Sequence, residues 1–365
     1  MMNRKNFRYL WALILFVLSF WGCNTSDVDY YSVNDFAKIP KIDAHFHYNT
    51  SDPRYLEYAV KLNFKLISQN VDAGVPINEQ IEISSLMKKL FPDEFAFFGT
   101  FSVDNFGTAG FTQQTITCID QCMKAGAPGI KIWKNIGMAL KDMDGSFVMV
   151  DDTAFKPVFD HIQTKKIPLM AHLGEPKNCW LPIEKMTMGN DRRYFQSHPQ
   201  YHMYLHPEAP SYQDQIDARD NLLKQYPELD FTGAHLASLE WSVEELSERF
   251  ESYPNMKADL TDRIGHLQYQ SLKDRQKIRN FLIKYQDRII YGSDVTINEN
   301  DLNYSAITTG LGQVWMDQWI FMATDSVINV KDLEQREVKG LMLPCEVIDK
   351  IFYKNAERFF SSSRQ

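Results

Sequence analysis

From residue 36 onward, short runs rich in β-branched and aromatic residues alternate with longer stretches of helical periodicity. The short runs are KIDAHFHY from Lys41, FKLISQNV from Phe64, FAFFGTFSV from Phe95, GIKIWKN from Gly129, IPLMAHL from Ile167, DFTGAHL from Asp230, MKADLTD from Met256 and RIIYGSD from Arg288. Between them lie amphipathic stretches such as INEQIEISSLMKKLF from Ile77, TQQTITCIDQCMKAG from Thr112 and DRQKIRNFLIKY from Asp274. Ser242 and Glu245 carry capping-box spacing ahead of another helix. Near-continuous apolar strands suit a parallel sheet covered on both faces, and strand followed by helix eight times over predicts an α/β chain closed into a (β/α)8 TIM barrel. A doubly wound open sheet is the competing architecture, but no GxGxxG follows the first strand and no P-loop occurs anywhere.

No repeat or low-complexity linker divides the region, so residues 36–365 read as one domain. Two connections, 175–213 and 296 to about 343, are longer than a barrel needs. The first is crowded with Trp180, Tyr194, Phe195, Tyr201 and Tyr204. Long insertions after barrel strands gather at the mouth, so both are expected to form a lid there.

The pattern differs at the amino terminus. Arg4, Lys5 and Arg8 precede an apolar run from Tyr9 to Gly22, with Cys23 immediately after. That run is short for a bilayer span, which takes about 20 residues, and has the layout of an export signal. It resembles a bacterial lipoprotein signal, although Phe20 and Trp21 depart from the usual leucine and small residue. The resemblance implies cleavage after residue 22, lipidation of Cys23, a polar tether over 23–35, and a protein exported to the cell envelope and held at the membrane by its lipid.

Composition narrows the partners. The chain has 365 residues, 44% of them hydrophobic, and a formal charge of −8. Loss of the leader's cations would make it more acidic still, and the remainder has no Lys/Arg cluster, so nucleic acid is not expected as a partner. A small-molecule substrate is expected, and homo-oligomers are compatible with the sequence. Beyond Cys23 the cysteines are Cys118, Cys122, Cys179 and Cys345, with no CxxC pair; Cys118 and Cys122 fall at i,i+4 and read as core thiols.

Candidate chemistry concentrates at strand ends. In a regular strand Asp43, His45 and His47 share one face and Ala44 and Phe46 the other, which turns a polar trio toward the barrel axis. Buried polar groups need partners, and a metal ion is one. His172 ends the fifth strand, His235 the sixth and Asp294 the eighth, all at the carboxyl end where barrel enzymes keep their sites. Imidazole and carboxylate together suit one divalent ion, Zn2+ first, with Mn2+ or Fe2+ as alternatives, and water on such an ion ionises near neutral pH.

These residues resemble the metal-dependent amidohydrolase superfamily, in the amidohydrolase-related branch that includes some lactone hydrolases and non-oxidative decarboxylases of aromatic or muconate-like acids. The resemblance runs from Lys41 to Phe360 and rests on DAHFH, AHLGEP, GAHLAS, YGSD and the closing IFYKNAERFF. It implies His45, His47, His172 and Asp294 as ligands of one metal, Asp294 also as the group that takes a proton from the bound water, and His235 as a non-ligand that polarises the substrate. Lys131 stands where binuclear members carry a carboxylated lysine; a mononuclear site is expected, with Lys131 holding substrate or a neighbouring carboxylate.

Weaker expectations are Asp43 orienting a ligand histidine, with a structural hydrogen bond as its alternative, Arg263 clamping a substrate carboxylate, and Trp180 stacking on a substrate ring. His198, His202 and His206 recur at i,i+4,i+8, but Pro199 and Pro207 argue against one helix and for loop packing. The function expected is a metal-dependent hydrolase using metal-bound hydroxide on an amide, lactone or ester-like bond. The alternatives are a non-oxidative decarboxylase on the same scaffold and an envelope-anchored binding protein whose chemistry is lost.

Overall fold

All eight expected strands form, though most are shorter than their apolar runs. In a computed structural model that describes residues 28–361, they are β1 Lys41–Asn49, β2 Phe64–Gln69, β3 Phe95–Phe98, β4 Ile130–Ile132, β5 Leu169–Ala171, β6 Phe231–Gly233, β7 Lys257–Asp259 and β8 Ile289–Ile290. Every neighbouring pair within the two principal sheets is parallel. Two seams join those sheets into a closed barrel. At β3/β4, Gly99 N donates to Gly129 O (3.0 Å) and Lys131 N to Gly99 O (2.7 Å); at β8/β1, Ala44 N donates to Tyr291 O (3.0 Å) and Asp294 N to His45 O (2.8 Å). Closure leaves the eight-stranded wall without an open edge. The expected leader over 1–22 and Cys23 lie outside the described residues. Among those residues no helix is long and apolar enough to cross a membrane.

The first strand does not keep a strict alternation. Opposite β2, Asp43 pairs with Leu66 and Phe46 with Ser68, so three steps on β1 match two on its neighbour. One extra residue re-aims the side chains beyond it. Ile42 and Ala44 pack in the inner cluster with Ile67, Phe98, Met170 and Ile290, whereas Phe46 and Tyr48 join the outer cluster under the helices. Asp43 turns outward. Its Oδ1 accepts from Ser293 N (2.9 Å) and its Oδ2 from Trp315 Nε1 (2.9 Å) on the helix Tyr304–Ala323. The expectation that Asp43, His45 and His47 share one face is therefore corrected by the bulge. Asp43 is the structural bond of the two alternatives, stitching β1 to the loop after β8 and to an outer helix.

Both ends of the described segment dock on the barrel. The tether expected over 23–35 is pinned from Asp29 onward: Cys345 N donates to Asp29 O, Tyr31 Oη to Asp349 Oδ1 (2.8 Å) and Trp319 Nε1 to Ser32 O (3.1 Å). At the other end, Ala356, Phe359 and Phe360 enter the inner cluster, with Phe359 edge-on to Phe98 at 5.0 Å. Ser242 Oγ accepts from Glu245 N (3.2 Å) as the capping box requires, but the Glu245 carboxylate turns to Arg249 (2.6 Å), so half the box forms.

The two long connections separate in role. Residues 175–213 fold into short 3-10 turns around the helix Gly189–Ser197. In 296–343, β9 Thr296–Asn298 extends the sheet beside His47, the helix Tyr304–Ala323 buries Trp315 and Trp319 against the barrel, and a hairpin of β10 Val327–Val330 and β11 Arg336–Lys339 follows. The three loop histidines pack locally: His198 Nδ1 meets Tyr194 O (2.9 Å), His202 Nε2 meets Leu181 O (2.8 Å) and His206 Nε2 meets Pro199 O (3.0 Å).

An Asp43→Asn substitution puts an amide NH2 where two donors now converge. It is expected to destabilise the fold by about 2–3 kcal/mol in denaturant unfolding while the folded fraction keeps the parent's metal content.

Candidate metal centre

Five strands deliver the expected residues to one end of the barrel. His45, beyond the bulge, is buried, and its Nδ1 lies 2.7 Å from Asp259 Oδ2. Asp259 Oδ1 accepts from the backbone N of His235 (2.7 Å) and of Thr261 (3.2 Å). Burial alone would raise the Asp259 pKa, but His45, His235 and Lys131 around it bring it down to about 2. A carboxylate in that state accepts only, so His45 carries its proton on Nδ1 and turns the Nε2 lone pair inward. Asp259 thus does what the sequence reading gave to Asp43. Its one signal was an aspartate at the end of an otherwise apolar strand, in MKADLTD.

His235 sits in a left-handed turn, with φ of 58°, 55°, 56° and 57° from His235 through Ser238. The turn folds its ring back over the barrel mouth, where Nδ1 lies 3.0 Å from Thr261 O. A carbonyl can only accept, so Nδ1 carries the proton and Nε2 is a free lone pair. Burial, chiefly, drives the His235 pKa well below its usual value, with His172 adding to the effect. A neutral ring of that tautomer suits a metal ligand better than a hydrogen-bond donor to an oxyanion, the role expected of it.

Asp294, also left-handed at φ 66°, holds Oδ1 3.5 Å from His45 Nε2 and 3.3 Å from His47 Nε2. Burial would raise its pKa, yet His235, His47 and His45 together hold it well below the usual carboxylate range. Gly292 makes the approach possible, because a Cβ there would stand 2.7 Å from His45 Cβ and against Thr261 Oγ1. His172 is buried with its ring 4.1 Å from that of His235, and its Nε2 has no hydrogen-bond partner among the described residues.

These donors fit a divalent ion. Ligands about 2.1 Å from a common tetrahedral centre stand about 3.4 Å apart, close to the 3.3 and 3.5 Å measured from Asp294 to the two histidines. Among the described residues, the three whose donor atoms all lie within 4.8 Å of one another are His45, His235 and Asp294. That trio differs from the expected set in bringing His235 inward, with His47 and His172 flanking it. Lys131 is fully buried with Nζ 2.9 Å from His45 Nε2, and burial lowers its pKa to about 8.

The remaining expectations fall outside the trio. Arg263 is buried with Nη1 on Asp262 Oδ2 (2.7 Å), and its Nε has no hydrogen-bond partner among the described residues. Trp180 donates to Pro210 O (3.1 Å) and packs edge-on to Tyr212 within the 175–213 connection. Glu175, Lys134 and Asp262 were not singled out from the sequence, although all three lie just beyond strand ends. A cavity of about 670 Å3 opens beside Asp294 and runs to the β10–β11 hairpin, lined among others by Asp191, Asp262, His266, Asp317 and Asn329.

Comparison with known proteins agrees with this architecture. A family profile described as Amidohydrolase matches residues 105–361, a span that includes His172, His235 and Asp294 but begins after His45 and His47. No curated protein sequence matches the chain. Among solved structures, it is similar to 2,6-dihydroxybenzoate decarboxylase from Rhizobium, with 14% identity, 88% of this chain and 99% of that one covered, and a TM-score of 0.50. It is also similar to dihydroxybenzoic acid decarboxylase from Polaromonas sp. JS666, solved with manganese and 2-nitroresorcinol, with 12% identity, 90% and 98% covered, and a TM-score of 0.50. At such identity these two likenesses speak to the barrel fold alone, and the profile match over most of the chain carries the assignment: this protein belongs to the amidohydrolase family.

Proposed function

We propose that this protein is a metal-dependent hydrolase acting on an amide, lactone or ester-like bond of a small molecule. The observation that carries the reading is Asp294, whose Oδ1 stands 3.3 and 3.5 Å from two imidazole nitrogens while its side chain remains 31% exposed to the cavity. It is the carboxylate that both meets the histidines and faces substrate. The ion, most simply Zn2+ with Mn2+ or Fe2+ as alternatives, would be held by Asp294 and donors from His45, His47, His172 and His235, and when bound would acidify water and polarise a carbonyl.

Asp294 takes the proton of the attacking water and returns it to the departing group. Asp259 keeps His45 in the Nδ1–H tautomer throughout. Lys131, rather than His235, supplies a fixed positive charge for the developing oxyanion, since the His235 ring has no proton to offer on Nε2. The connection 175–213 and the β10–β11 hairpin serve as a lid that excludes water from the cavity. The leader residues and Cys23 are read as an export signal and lipid anchor, which places the enzyme at the cell envelope.

A second reading is non-oxidative decarboxylation, favoured by the names of the two similar structures, both decarboxylases. The charge pattern limits which acid it could take: Asp191, Asp262 and Asp317 outnumber Lys331 along the cavity, which disfavours a second carboxylate on the substrate beyond the one the ion would hold.

Product analysis on a panel of amides, lactones and aromatic acids separates the two. The hydrolase reading expects 18O from solvent in a new carboxyl group, and carbon dioxide release with a new C–H bond would replace it with the second. Asp294→Asn is expected to lower turnover by roughly 10²–10⁴-fold with the fold retained, and parent-like rates would exclude Asp294 as the base. Asp259→Asn should weaken metal binding about 10–100-fold, read by titration of the chelator-stripped protein. Cys23→Ser should move the protein from the membrane to the aqueous fraction on detergent partition.

A further inference from the structure

The unpartnered Nε2 of His172 faces a carboxylate. Glu175 is 6% exposed, and its Oε2 stands 3.8 Å from that nitrogen, beyond hydrogen-bond range. Two donors that share one divalent ion, each about 2.1 Å from it, are separated by about 3.4 Å in a tetrahedron and by up to about 4.2 Å as the angle opens. The observed spacing falls inside that span. Local structure holds it there. Gly174, at φ 74°, makes the turn that brings Glu175 back over His172 three residues before it. Lys134, just after β4, ion-pairs with Glu175 Oε1, which leaves Oε2 aimed at the imidazole. Among the described residues the hydrogen bond of Glu175 is to Oε1 from Lys134, so an unpartnered imidazole nitrogen and a carboxylate oxygen, both able to ligate a cation, stand across a gap that neither fills. His172 in turn lies ring to ring with His235 at 4.1 Å, so this gap adjoins the donors already described.

We propose that Glu175 is a further carboxylate of the metal centre, sharing a divalent cation with His172, and that Lys134 is the positioning residue that fixes its aim. The proposal rests on the reading of the site as a metal centre and not on the reaction it catalyses. Without Glu175 the donor set has a single acid, Asp294. With it there are two, on the loops after β5 and β8. A hard second oxygen shifts preference toward Mn2+ over Zn2+.

The test is titration of the chelator-stripped full chain with Mn2+, followed by calorimetry or competition with a chelating dye, and the visible spectrum of the Co2+-loaded protein. Glu175→Gln is expected to weaken Mn2+ binding by on the order of 10–100-fold and to change the Co2+ spectrum. Lys134→Met should weaken binding by a smaller factor, and Lys134→Arg should recover it. A Glu175→Gln protein with the parent's affinity and spectrum overturns the proposal. Should that variant not fold, Glu175→Asp keeps the charge and retracts the oxygen; reduced affinity supports the assignment and unchanged affinity ends it. A merely structural ion pair predicts equal loss of melting temperature in Glu175→Gln and Lys134→Met with Mn2+ affinity untouched, which likewise overturns it. No turnover is read, so loss of the hydrolase reading leaves the result standing. A parent protein that binds no Mn2+, Zn2+ or Co2+ removes the metal centre and this inference together, whereas loss of binding in His45→Ala but not in Glu175→Gln removes only this one.

Discussion

Most of the site hangs on one buried carboxylate. Asp259 bonds the His45 ring with one oxygen and the His235 and Thr261 backbones with the other, so residues from β1 and from the loops after β6 and β7 share a single anion. Buried in a region of low effective dielectric, that anion is costly unless every lone pair is used, and here its neighbours use them. The arrangement fixes a tautomer as well as a position. Because Asp259 accepts from Nδ1 of His45, and Thr261 O accepts from Nδ1 of His235, both rings keep a lone pair on Nε2, and that of His45 meets Lys131 Nζ at 2.9 Å. Two such lone pairs repel one another unless a cation stands between them, and Lys131 and the proposed ion are the two candidates on hand.

How much of this the sequence revealed depended on what was being read. Strand number, order and the helical stripes were legible because each is a local pattern repeated eight times, and burial on both faces writes itself as continuous apolar runs. The strand-end histidines and Asp294 were legible for a related reason: polar groups at the ends of apolar runs are conspicuous. Asp43 was misread because strict alternation was assumed through a bulge, and one extra residue between Asp43 and Phe46 has no marker in a single chain. The position of His235 at a strand end was legible but its tautomer was not, since that is set by a carbonyl beyond another strand, Thr261. Glu175 was passed over inside a motif already noted, because its meaning comes from a lysine 41 positions earlier in sequence.

The distribution of charge also separates structure from chemistry. Arg263 looks like a substrate clamp in the sequence, yet in the fold its Nη1 pairs with Asp262, and Lys134 pairs with Glu175. The cavity beyond Asp294 is lined by more acids and amides than cations, Asp191, Asp262, Asp317 and Asp332 standing against Lys331. Specificity in such a pocket comes from hydrogen bonding and shape, which are supplied by the β10–β11 hairpin and the turns of 175–213, the parts of the chain least determined by barrel geometry.

The left-handed turn from His235 to Ser238 carries a cost of its own. Four successive residues other than glycine hold positive φ, a conformation disfavoured by about 1–2 kcal/mol apiece. Outside groups keep it wound: Ser238 Oγ donates to Leu173 O (2.7 Å), and Arg219 and Tyr212 donate to the carbonyls of Ala237 and Ser238. The barrel is therefore least relaxed where it is most useful. Sequence drift that eased this coil would toughen the molecule against heat and, in the same stroke, let the imidazole of His235 swing out of register, so durability and reactivity are set against each other within a single bend of the backbone.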